Sequence, residues 1–154
     1  MHPLRAALSR LRSLLGAPSE SGPERRFRIV NQTRGTELAH SAEVADTGAS
    51  RSKGLLGRKG LEPGTALWII PCESVHTFGM QFSLDLVYID RQNRIVKIRR
   101  NIPPWRMSIC LRAHSVLELP AGAARIGHDA PGDQLLFAPA TPPQPARDPI
   151  AAGA

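Results

Sequence analysis

Cysteine, aromatic residues and long apolar runs are all scarce in this 154-residue chain, and each shortage removes a class of protein. Two cysteines cannot build the framework of a disulfide-stapled mini-protein. Aromatic residues make up 5% of the sequence, which leaves few platforms for stacking the bases of single-stranded nucleic acid. No stretch of roughly 18 apolar residues is present to cross a bilayer as a helix. The motifs of several enzyme classes are also missing: there is no Gly-x-Ser-x-Gly elbow, no kinase set, no Gly-Lys-Ser/Thr phosphate loop, no Cys-x-x-Cys and no His-Glu-x-x-His. What remains is a chain with 42% hydrophobic and 21% charged residues, enough apolar material for a core and too little charge for a disordered polyelectrolyte.

The 20 Lys and Arg against 13 Asp and Glu give a net charge of +7. Most of this excess sits at the start. Residues 1–34 contain Arg5, Arg10, Arg12, Arg25, Arg26, Arg28 and Arg34 but only Glu20 and Glu24, a net of +5, so residues 35–154 carry only +2. Leu4, Leu8, Leu11 and Leu15 recur at helical spacing in this segment, which predicts a basic amphipathic arm and linker over residues 1–26, either a loose tail, since so short a helix is unstable alone, or one serving an anionic membrane surface, a docking partner or targeting. Arg10 and Arg12 interrupt the apolar stretch that a secretory signal needs. The expectation is a protein that is cytoplasmic or peripheral to the inner membrane, without support for export. A near-neutral domain behind a basic arm disfavours nucleic acid as the partner.

Residues 27–138 form the expected single β-rich domain, followed by an Ala/Pro-rich disordered tail over 139–154. Short apolar runs at 27–30, 38–44, 66–70, 84–89, 95–98, 116–119 and 134–138 have strand length and are separated by Gly, Pro, Asp and Asn turn signals. The runs at 84–89 and 95–98 read as a hairpin, with Asn93 at a left-handed turn position. Two short helices are expected, one over 49–58 capped by Thr47 or Asp46 and one around 121–126. The predicted fold is mainly β, a compact β-sandwich or partly closed β-barrel with two short helices.

Five polar residues stand out as a candidate pocket cluster: Arg51, His76, Thr77, Asp85 and Glu118. Asp85 lies in Leu84-Asp85-Leu86-Val87-Tyr88-Ile89, apolar on both faces, so its carboxyl must be hydrogen-bonded, paired or neutral. His76, Thr77 and Arg51 are the expected partners. The stretch from Cys72 to Met80 concentrates a thiol, an acid, an imidazole and two hydroxyls, yet Pro71 and Gly79 argue against the helix that would place Cys72 and His76 together as metal ligands. No metal site or cofactor is expected. Cys72 and Cys110 leave one disulfide open in an oxidising compartment, while the lack of an export signal predicts reduced thiols. Leu55 and Leu56 are expected to pin the first helix to the core, and Glu118 faces away from Leu117 and Leu119 in its strand.

Arg51 with Gly54-Leu55-Leu56-Gly57-Arg58, then His76-Thr77-Phe78-Gly79-Met80, Leu84-Asp85 with Val87 and the Asp90 turn, Val116-Leu117-Glu118-Leu119-Pro120-Ala121-Gly122 and Gly132-Asp133 occur in one order over residues 36–138. In these segments the chain resembles the bacterial and archaeal domain of unknown function 192 family. The resemblance implies a small, mostly β, single-domain protein and carries over no catalytic residues. The residues themselves point to a non-enzymatic accessory or ligand-binding domain with a pocket near the His76 loop, binding a small ligand or a protein partner. Two alternatives stand beside it: a hydrolase using His76, Asp85 and Glu118 as acid and base groups, and a peripheral membrane or nucleic-acid contact through the basic arm.

Overall fold

A computed structural model describes residues 25–140. The amphipathic arm up to residue 24 and the tail from residue 141 lie outside the described residues. Among the described residues, nine strands and one helix follow in chain order: β1 (Arg26–Asn31), β2 (Thr36–Ala45), α1 (Gly48–Lys53), β3 (Thr65–Ile69), β4 (Ser74–His76), β5 (Leu84–Ile89), β6 (Ile95–Ile102), β7 (Met107–Ile109), β8 (Ser115–Pro120) and β9 (Leu135–Pro139). Seven of them form one sheet in the order β6-β5-β8-β3-β2-β1-β9, and β4 pairs with β7 in a separate ribbon. All pairings are antiparallel except β2 with β3. That parallel step needs a crossover, and α1 lies in it.

The sheet curls into a half-barrel. Its two outer strands approach at one end, where Arg94 bridges to Gln134 and Ile95 N–H donates to the Asp133 carbonyl at 2.9 Å. The expected barrel-like closure is thus partial. The β5–β6 hairpin forms as its pattern implies: Asn93 adopts φ 60°, and the Asp90 carboxylate accepts from the Gln92 and Arg94 N–H groups, both at 2.9 Å. Gly64 (φ 76°) turns the chain into β3 with its carbonyl accepting from His40 N–H. A Cβ there would come within 2.3 Å of the exposed His40 ring, which would have to swing aside, so glycine is required chiefly by φ.

Because β5 and β8 are central strands, both of their faces are covered. One core gathers Ile29, Val87, Ile89, Leu117, Leu119 and Leu135, with Trp68 packed against it between Phe27 and Phe137. The other gathers Leu67, Leu86, Tyr88 and Val116 on the opposite face, where Leu55 and Val75 cover them. Each fully buried Leu or Ile contributes on the order of 2 kcal/mol, so this two-sided burial makes β5 and β8 the mechanical centre of the domain.

Two expectations need correction. The segment 121–126 forms turns, not a helix: the Ala123 N–H closes a turn on Pro120, and Gly122 takes φ 88°. In the first helix Thr47 is the N-cap, reciprocated by Ser50, but the helix ends at Lys53 with Gly54, and only Leu55 of the leucine pair is buried, Leu56 being exposed.

Candidate functional site

The row of residues that crosses the sheet on the Tyr88 side explains the site. Glu43 on β2 aligns with Leu67 on β3, Leu67 with Glu118 on β8, and Glu118 with Leu86 on β5. Two carboxylates therefore share one face of the sheet. The Arg58 guanidinium takes Glu43, with 2.7 Å from Nη2 to Oε2, and this bond, aided by Arg26, holds the Glu43 carboxyl below its ordinary range against the opposing effect of burial. Glu118 gets no such partner. It is 3% exposed, its Oε2 has no hydrogen-bond partner, and burial pushes its pKa up to about 7, with only a distant pull downward from Arg58.

Glu118 lines the wall of a cleft of about 520 Å³ bounded by α1 and the residues after it on one side and the β3–β4 segment on the other. Arg51, Lys53, Cys72, His76 and Met80 also line it. The cleft brings cations, an imidazole and an unsatisfied acid within one concavity, and Leu55, Ile69 and Val75 supply apolar wall. Arg51 is steadied by donation from Nη1 to the Asp46 carbonyl at 2.6 Å. The Cys72 thiol donates to the Ser74 carbonyl at 3.1 Å, and burial raises its pKa. A thiol in that state is a poor nucleophile. Cys72 and Cys110 are both free, so the bridge left open by the sequence is not formed here.

Of the five candidate residues, the structure brings Arg51, His76 and Glu118 to the cleft and places two elsewhere. Asp85 projects from β5 toward the Leu117–Leu119 core, the face opposite Glu118, since Leu84, Leu86 and Tyr88 belong to the other side. Its oxygens accept from the backbone N–H groups of Asn101 at 2.7 Å, Gly122 at 3.0 Å and Ala124 at 2.9 Å. The expected partners His76, Thr77 and Arg51 are thus replaced by main-chain donors from the end of β6 and the β8–β9 loop. A carboxylate accepting several N–H groups is satisfied without a cation. Thr77, 1% exposed, is similarly committed: its hydroxyl donates to the Pro103 carbonyl at 2.8 Å and accepts from Arg106 N–H at 2.9 Å, tying the end of β4 to the start of β7.

A second buried polar cluster escaped the sequence reading except for Asp133. The Asn31 amide donates to Asp129 Oδ1 at 3.0 Å and Asp133 Oδ2 at 2.9 Å, and Arg34 Nε reaches Asp133 at 3.1 Å. Burial works to raise the Asp133 pKa, but hydrogen bonds from Asn31, Ala130 N–H and Arg34 outweigh it and the net shift is downward. The cluster fastens β1 to the loop before β9. Among the described residues, no three His, Cys, Asp or Glu side chains are grouped to hold a metal ion, and no helix is long and apolar enough to cross a membrane.

Comparison with known proteins follows the same boundaries. The model of the DUF192 family, described as Uncharacterized ACR, matches residues 29–137. A UPF0127 protein of Pyrococcus horikoshii is 33% identical over 116 residues, covering 71% of this chain and 97% of its own. A UPF0127 protein of Pyrococcus abyssi is 28% identical over 114 residues, covering 70% and 94%. These relatives are archaeal. Among solved structures, a candidate transcription regulator from Sinorhizobium meliloti has a TM-score of 0.64 at 24% identity, covering 74% of this chain and 93% of its own. A protein of unknown function from Novosphingobium aromaticivorans has a TM-score of 0.63 at 20% identity, covering 81% and 96%. At such identities the two structures are informative about the fold alone.

Proposed function

The chain belongs to the DUF192 family, and from that starting point we propose that its domain is a non-enzymatic binding module whose cleft beside α1 takes a small polar ligand. The observation that carries this reading is Glu118, a carboxyl buried on the wall of the cleft with one oxygen unpartnered by the protein. An unsatisfied buried acceptor is costly, and a ligand hydroxyl or amide that donates to it removes the cost. With a pKa near 7, the group also donates when protonated, so a ligand oxygen is equally accommodated in mild acid. Arg51 and Lys53 across the cleft, set against Glu73 in the same lining, favour a polar ligand that carries both an anionic group and hydrogen-bond donors.

A hydrolase built on His76, Asp85 and Glu118 is a weaker reading. Its acid and base groups would have to share a substrate, yet Asp85 sits on the other side of the sheet with its oxygens occupied by backbone N–H groups. Binding without chemistry needs only the groups that do line the cleft.

A thermal-shift panel of sugars, sugar phosphates and dicarboxylates tests the proposal on wild type, Glu118→Gln and Arg51→Ala. A ligand at about 100 times its Kd stabilises the native state by roughly 2.7 kcal/mol. At least one compound is expected to raise the wild-type Tm, with a clearly smaller rise in both variants. If no compound acts, or if the rise is equal in all three proteins, the cleft is not the binding site.

A further inference from the structure

The near-neutral balance of residues 35–154 conceals a strong segregation of charge. Residues 91–117 contain Arg91, Arg94, Lys97, Arg99, Arg100, Arg106 and Arg112 and no Asp or Glu. This segment supplies β6, β7 and the loops around them. The rest of residues 35–154 is accordingly acidic on balance, 6 cations against 11 acids.

The same segment displays apolar side chains to solvent. Trp105 is 65% exposed, Met107 59%, Ile109 49% and Leu111 77%, an alternating series whose inward member, Ser108, is buried. On the paired strand His76 lies opposite Met107, and its ring stacks on exposed Phe78, which stacks in turn on Trp105, with centroids 5.2 and 5.9 Å apart. Trp105 takes φ 63°, a conformation a bulky residue adopts only under external constraint; the Thr77 carbonyl supplies it by accepting from Trp105 N–H at 3.0 Å. The backbone is thus held so as to present the indole outward. Cations frame the stripe: Lys97 Nζ donates to the Ile109 carbonyl at 2.8 Å, Arg99 lies beyond Leu86 on the same face of the sheet, and Arg106 and Arg112 interleave with the apolar residues and are exposed.

We propose that the outer face of the β4–β7 ribbon docks on an anionic lipid surface, with Trp105, Met107, Ile109 and Leu111 entering the headgroup layer and Arg99, Arg106 and Arg112 meeting lipid phosphates. Three observations favour a bilayer as the occupant. Indole rings settle at the membrane–water boundary, and a cluster of Lys and Arg that outnumbers the neighbouring acids Glu73 and Asp90 is drawn to anionic lipid within a Debye length. Trp105, Met107 and Ile109 line no part of the Glu118 cleft; they project, as side chains entering a fluid layer do, instead of forming a socket for a partner's residue. Aliphatic Met, Ile and Leu have little to offer a nucleic-acid backbone. The residues of this surface lie outside the segment 1–26 in the sequence.

Vesicle cosedimentation of the full chain tests the assignment, using phosphatidylcholine alone and phosphatidylcholine with about one third phosphatidylglycerol, at low and high salt. Binding is expected to the anionic vesicles only and to fall with salt. Trp105→Ser with Met107→Ser, and separately Arg99→Glu with Arg112→Glu, should each weaken it at least tenfold, while Arg5, Arg10 and Arg12→Ala together should weaken it less. Brominated lipid should quench the fluorescence of Trp105 and leave that of half-buried Trp68, a readout that needs no variant. Unaltered binding in both ribbon variants, loss of binding through the arm variant alone, absence of quenching, or tight binding to duplex DNA without binding to vesicles would each overturn the proposal.

Discussion

Asp85 and Glu118 stand on adjacent strands, one register step apart, and both are buried. Their situations could hardly differ more. Asp85 faces one core and receives three backbone N–H groups; Glu118 faces the other side and receives none at Oε2. The first ties three segments of chain together, and the second is a polar group held in readiness beside a cleft. Burial alone therefore says little about the use of a carboxylate. What distinguishes these two acids is whether the chain returns its own donors to them.

Variants can break this contrast, and the largest effect belongs to Asp85. Asp85→Ala strands three N–H groups inside the protein and should cost about 3–5 kcal/mol in urea unfolding; a loss below about 1 kcal/mol would mean that the three hydrogen bonds are dispensable. Glu118 behaves oppositely because its pKa is raised on folding. Its contribution is fully present below the unfolded value of 4.5 and is lost as pH rises through about 7, a total of roughly 3 kcal/mol at 1.36 kcal/mol per unit. Relative to Glu118→Gln, wild type should thus lose stability across that window and run parallel above it; parallel curves throughout would contradict the raised pKa.

Asp133 sharpens the comparison, since its donors include side chains. Asn31→Ala should cost about 2 kcal/mol. The Asp133 pKa is lowered on folding, so its contribution is present above the ordinary aspartate pKa and is lost as pH falls through the depressed one. Acid unfolding of Asn31→Ala should accordingly show a shallower dependence on pH in that range than wild type. The smallest effect is expected at Thr47→Ala, which removes the N-cap of the helix beside the cleft at about 1 kcal/mol. Hydrogen exchange should then quicken in α1 and leave the N–H groups held by Asp85 unchanged.

The strands of the main sheet were legible because each is a β-rich run between turn residues, and β5 announced its central position by being apolar on both faces. The ribbon was not legible. β4 and β7 are only three residues long, too short for a period of two to emerge among polar neighbours. At Asp85 the sequence pointed to nearby side chains, but the donors are backbone groups 16, 37 and 39 residues away, and a peptide N–H has no residue signature. Glu118 was placed on the correct face by alternation alone. Its isolation could not be foreseen, because it follows from Arg58 being engaged by Glu43 two strands away. The cations of residues 91–117 were visible throughout, hidden only by summing them with distant acids.

The pairing of β1 with β9 runs from Phe27 opposite Pro139 to Asn31 opposite Leu135, so the first strand of the described domain lies against its last. During synthesis β1 emerges from the ribosome long before that neighbour exists, and one of its edges must stay unpaired until residue 139 has been added and has cleared the exit tunnel. Completion of the sheet therefore waits on the last described strand, a long-range pairing that forms late. A chain that stops short of Leu135 would release a protein with an open β edge, the kind of surface that recruits chaperones or a second copy of itself.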